Sequence, residues 1–177
     1  MTQATKILRE EHYWIRLLLE CLDELLTIFR ANGTFDARSA TELQLLFEHF
    51  VDQQHQEKEE VGLFPKLFER LQRLQEEHAK EREYLDRMRF SLFNAALGDP
   101  TGRVEFAREA NAYLDLQRRH MARENLGLLP LAEHLLTEED DAEVLEEFRR
   151  QEAGRIPRDE VLERVRQLCA KVGVPFE

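Results

Sequence analysis

Leu8, His12, Ile15, Leu19, Leu22, Leu26 and Phe29 follow one another at alternating steps of four and three, the rhythm that lines one side of an α-helix. Asn32 and Gly33 end this first helix, since glycine tolerates the left-handed conformation that follows a helix C-terminus. A second periodic segment starts after Asp36 or Ser39 and carries Leu43, Phe47, Val51, His55 and Glu59 on its stripe. A third carries Leu74, His78, Leu85, Met88 and Leu92, and stops at Gly98-Asp99-Pro100-Thr101-Gly102. A fourth carries Phe106, Ala110, Tyr113, His120, Glu124 and Leu131. Beyond Thr137, two shorter acidic segments, 138–152 and 157–171, lie either side of Gly154 and Pro157.

Long amphipathic helices with short connections, few glycines and few β-branched residues predict an all-α protein. The simplest packing is an up-down-up-down antiparallel four-helix bundle over residues 1–136, with a short helical C-terminal appendage over 137–177. Helix one has a second apolar stripe, Trp14, Leu18, Cys21, Leu25 and Ile28, that needs cover. The tail stripe of Val161, Val165, Leu168 and Val172 can supply it, and so can a second copy in a homodimer through helix one.

In an antiparallel bundle, residues equally far from a turn lie at the same height. His12 and His55 stand 21 and 22 residues either side of Gly33, and His78 and His120 stand 21 residues either side of Asp99. The midpoint of His55 and His78 falls beside Pro65. Four histidines therefore meet at one level, with Glu59 and Glu124 one helical turn after His55 and His120 on the same faces. One histidine on an apolar stripe reads as a core residue; six polar residues at one level do not. His49 and His134 fall off this level and read as surface residues.

A net charge of -11 excludes nucleic acid and anionic lipid as partners. Charged residues interrupt the first apolar run, so neither a signal peptide nor a membrane span is expected, and two distant cysteines, Cys21 and Cys169, point to a reducing cytoplasm. Both cysteines read as small apolar fillers, which could bridge only if the tail lies on helix one. Tyr84, Tyr113, Phe47, Phe50 and Met88 read as core packing.

Burying four imidazoles with two carboxylates costs several kcal/mol per charge unless a cation compensates. Imidazole and carboxylate without thiolate suit iron, manganese or zinc, and six side chains exceed the needs of one tetrahedral zinc. Two metal ions, each on two histidines and bridged by the two glutamates, use every ligand. They keep positions free for a solvent-derived oxo or hydroxo bridge and for an exogenous small molecule. Ferritin-like di-iron bundles use Glu-x-x-His, which is absent here.

The blocks LREEHYWIRLLL (8–19), HQEKEEVGLFPKL (55–67), EEHAKEREY (76–84) and HMARENLGLLPLA (120–132) resemble the hemerythrin-like HHE cation-binding family over about residues 5 to 136. The resemblance implies a non-haem di-iron centre on His12, His55, Glu59, His78, His120 and Glu124. Oxygen-carrying hemerythrins have His-x3-His on the third ligand helix, where this chain has Arg82 in the second place. The closer likeness is to bacterial HHE proteins linked to nitric oxide, peroxide and iron handling, including repair of damaged iron centres. Carriage or reaction of such a molecule, sensing through the tail, and iron donation or storage all stay open. Arg82 reads as a helix-surface residue, with a contact to a bound anion as the alternative.

Overall fold

The computed structural model describes residues 2–67 and 71–176, and all regular structure among them is helical. Helix α1 spans Gln3–Asn32, capped by the Thr2 side chain, which accepts from Thr5 N–H, and closed by Gly33 at φ 74°. Helix α2 starts at Ala37–Leu46, with Asp36 rather than Ser39 as its N-cap. It runs on as π-helical turns, Phe47–Gln56 and Lys58–Leu63, into a 3-10 turn at Phe64–Lys66. Helix α3 covers Gln72–Ala96, and α4 covers Pro100–Arg123, with Asp99 as its cap. A π-turn, Glu124–Leu128, joins α4 to α5, Leu129–Leu135.

The π-turns were not expected from the periodicity. Two of the three, Lys58–Leu63 and Glu124–Leu128, have a local cause: the carbonyl of the glutamate accepts from the N–H five residues on, Phe64 for Glu59 and Leu129 for Glu124. The next residue is a proline, Pro65 or Pro130. Proline offers no N–H and its ring crowds the carbonyl four residues back, and opening the preceding turn relieves that crowding.

Helix α1 touches α2 and α4, and α3 touches α2 and α4, the neighbour order that the expected path requires. The core falls into two clusters, one around Ile15, Leu43, Phe47, Phe50, Met88, Phe106 and Tyr113, the other around Leu8, Leu63, Phe64, Leu74, Leu128 and Leu129. The boundary lies at the polar positions on every long helix: between Leu8 and Ile15 on α1, Val51 and Leu63 on α2, Leu74 and Leu85 on α3, and Met121 and Leu128 beyond α4. The expected core residues Phe47, Phe50, Met88 and Tyr113 are buried, and Tyr84 packs against them.

The tail belongs to the same cores. Helix α6, Glu138–Glu152, starts with a Thr137–Asp140 capping box and adds Val144 and Phe148 to the smaller cluster. Helix α7, Arg158–Val172, adds Val161, Val165, Leu168 and Cys169 to the larger one. It lies along α1 and covers the second stripe, with Arg166 stacked 4.9 Å over Trp14. This contact brings Cys21 and Cys169, both free thiols, to 3.6 Å. No helix among the described residues is long and apolar enough to cross a membrane.

Candidate metal centre

All six residues singled out by spacing, His12, His55, Glu59, His78, His120 and Glu124, are at most 4% exposed and meet between the two cores. They form two groups, His12, His55, Glu59 and Glu124, and Glu59, His78, His120 and Glu124. Within each group, one ligand atom per residue lies within 4.8 Å of the others, and both glutamates belong to both groups. Nε2 of His12 and of His55 stand 3.1 Å apart, and Nε2 of His78 and of His120 stand 2.9 Å apart. Two imidazole nitrogens bound to one metal at ~2.1 Å and at right angles are about 3 Å apart. His49 bonds Gln53 instead, and His134 is exposed.

Each of the four rings is held from behind through Nδ1. His55 faces Glu11 at 2.9 Å, His78 faces Glu60 at 2.7 Å, His120 faces Glu77 at 3.0 Å and His12 faces Asn125 Oδ1 at 3.0 Å. Carboxylate and amide oxygens accept only, so this network assigns the proton to Nδ1 and leaves the Nε2 lone pair aimed inward. Opposed lone pairs at such distances repel unless a cation stands between them.

The carboxylates state the same need. No oxygen of Glu59 or Glu124 meets a donor in hydrogen-bond geometry, although His120 Nε2 lies 2.8 Å from Glu124 and His12 Nε2 lies 3.2 Å from it. Burial pushes the His78 imidazole down, but the carboxylates of Glu124, Glu59 and Glu60 outweigh it and hold it up at about 12. His120 is likewise driven down by burial and held up at about 9, chiefly by Glu124. Burial pushes the Glu124 carboxyl up, and the imidazoles of His120, His12 and His78 hold it well below the usual range. Without a metal, protons compensate these carboxylates. The donor set fits a metal ion that would take their place.

Sequence spacing missed the groups behind the ligands, although a repeated pattern carries them. Glu11 precedes His12 and Glu77 precedes His78, in two copies of EEH. Each of these glutamates holds not its neighbour but the histidine of the next helix, His55 or His120. Glu60 and Asn125, each one residue after a shared glutamate, hold His78 and His12. Lys58 and Arg123, each one residue before, pair with Glu11 and Glu77. Glu81 was missed too: it is buried, receives the amides of Gln56 and, at 2.7 Å, Gln117, and burial raises its carboxyl to about 7.

Arg82 sits between the two roles considered for it. Its Nε reaches Asp52 at 2.5 Å and its other arm reaches Glu60 at 2.8 Å, so it acts on the centre only through the carboxylate that holds His78.

No curated protein and no solved structure gives a significant match to the chain. A family model does: the hemerythrin HHE cation binding domain matches residues 3–132, a span that contains all six of these inward-facing residues and stops short of the tail. With that match over most of its length and two buried His/Glu groups able to hold metal ions, the chain belongs to the hemerythrin HHE cation-binding domain family.

Proposed function

We propose that the protein holds a non-haem di-iron centre, one iron on His12 and His55, the other on His78 and His120, with Glu59 and Glu124 shared. In this reading it is a cytoplasmic protein that binds or reacts with a small oxidant, O2, NO or peroxide. The observation that carries the proposal is that two four-residue groups share both carboxylates, while each histidine pair turns its Nε2 atoms to one point.

When bound, the iron pair supplies open coordination positions and electrons for a small molecule. The chain's own residues do the rest. Glu11, Glu60, Glu77 and Asn125 fix the tautomer and orientation of the four rings. The two apolar clusters seal these six residues from solvent, a setting that disfavours bulky substrates. In the metal-free chain, burial raises the carboxyl of Glu81, three residues after His78, to about 7, which makes it the group beside the centre suited to hold a proton.

The test is to load the chain with ferrous iron without oxygen, measure metal per chain, and record optical spectra before and after oxygen, nitric oxide and azide. Two irons per chain and a ligand-dependent absorption band are expected. Colourless protein that carries no iron would refute the centre, whereas iron that passes quickly to an acceptor would shift the reading to a donor or store.

A further inference from the structure

The two halves share one motif behind the inward-facing histidines, a glutamate paired with a cation, and differ in what surrounds that cation. Lys58 pairs with Glu11, which holds His55; Arg123 pairs with Glu77 at 2.7 Å, which holds His120. Arg123 is 32% exposed at its side chain, and the far side of Glu77 faces Arg73, itself largely exposed. Lys58 is sealed, with only 2% of its side chain exposed. A lysine is almost never fully buried unless paired. Its second partner comes from outside the family's matched region: Glu152, the last residue of α6, reaches Nζ at 2.6 Å.

Other tail contacts cluster at the same stretch of chain. Gln54 donates to the carbonyl of Ile156 at 3.0 Å, and Glu57 pairs with Arg155. Gly62 lies so close to Phe148 that a Cβ there would come within 2.9 Å of its ring. The end of α6 and the turn after it therefore grip the π-helical segment that carries His55 and the shared Glu59, whereas among the described residues Glu77 and Arg123, the corresponding pair of the other half, meet no tail residue.

We propose that Glu152 to Ile156 form a clasp which, through Lys58 and Glu11, positions His55 and sets how firmly the His12/His55 half keeps its metal. The inference rests on the two-metal reading above. It assigns Glu152, Lys58 and Glu11 as positioning residues, and it gives the tail a function: when the clasp opens, one metal becomes labile and the other stays.

The test uses the full chain loaded with ferrous iron, from which a ferrous chelator extracts metal under anaerobic conditions. Glu152 is 44% exposed at its side chain, so Glu152→Gln removes a charge without emptying the core. The expected outcome is biphasic extraction: one equivalent leaves faster than in wild type, the other at the wild-type rate. Glu11→Gln should show the same split more strongly, within the roughly 10–100-fold range typical of groups that hold a metal-bound histidine. General loosening of the fold would accelerate both equivalents, and that result, or wild-type rates for both in the two variants, would overturn the clasp. A wild-type chain that takes up fewer than two equivalents would overturn the two-metal reading itself, and the clasp with it.

Discussion

Glu77 stands 3.0 Å from Nδ1 of His120, one helix away, and thereby repeats on α3 and α4 what Glu11 does for His55 on α1 and α2. An acceptor at Nδ1 selects the tautomer whose Nε2 can bind metal and raises the basicity of that nitrogen. Glu77→Gln should therefore weaken metal binding at the His78/His120 half by about 10–100-fold and leave the other half nearly intact. Metal titration of the variant should show one tight and one weakened equivalent. Equal weakening of both would mean that the two halves are not independent.

Glu59 and Glu124 predict a different result, because each belongs to both groups. Replacing Glu124 by Gln removes an anionic oxygen from both positions and takes one buried counter-charge from the imidazoles of His12, His78 and His120. Both equivalents should weaken together, and elemental analysis after gel filtration should find fewer than one metal per chain. A variant that retained one full equivalent would show that Glu124 serves a single metal.

The titration of the metal-free centre fixes the sign of the pH dependence. His78 is held at about 12 and His120 at about 9, both above the ordinary histidine value of ~6.5. Their contribution to the stability of the metal-free chain is fully present below about pH 6.5 and is lost as pH rises through 9 and toward 12. Glu11, held at about 2 by His55 and Lys58 against its burial, acts in the opposite direction: its contribution is present above about 4.5 and lost as pH falls toward 2. A metal must displace the imidazole protons, so zinc, used as a redox-inert probe, should bind more tightly as pH rises from about 6 to 9, by roughly tenfold per unit for each proton displaced. Release of at least two protons per loaded chain at neutral pH, from His78 and His120, with His12 also held above its ordinary value by Glu124 against its burial, checks the assignment when followed in a weakly buffered solution. Flat affinity over this range would contradict it.

The helical bundle and the meeting of these six side chains were legible because they depend on quantities that a sequence carries directly. Helical period places His12, His55, His78 and His120 on inward stripes, and Gly33 and Asp99 fix the turns from which their heights are counted. The residues behind the ligands were not legible in the same way. Glu11 lies one position from His12 yet serves His55 on another helix, a relation that no within-helix period encodes. Lys58 sits in a run of Lys, Gln and Glu that reads as a solvated face, and it becomes buried only because α6 closes over it. The π-turns at Glu59 and Glu124 escaped for a related reason: their cause, a proline six residues past the glutamate, is local, but it reads equally well as a plain helix stop.

Gly62 and Gly127 occupy equivalent places, each three residues after a shared glutamate and inside a π-turn, and only the surroundings differ. A Cβ on Gly62 would meet the Phe148 ring at 2.9 and 3.1 Å, and Phe148 is buried in the smaller core, where a shift disturbs its neighbours. A Cβ on Gly127 would meet nothing within 4 Å. Overpacking of a core costs typically about 1–3 kcal/mol, whereas replacing glycine by alanine in an open helical position gains roughly 0.5–1 kcal/mol. Gly62→Ala should therefore lower the melting temperature of the metal-free chain by several degrees, at about 2–4 °C per kcal/mol for a chain of this size, and Gly127→Ala should raise it slightly. Since the Gly62 contact belongs to the tail's grip on α2, Gly62→Ala should also loosen metal at the His12/His55 half, an effect that Gly127→Ala lacks. Equal stability changes in the two variants would show that α6 does not press on α2 at this point.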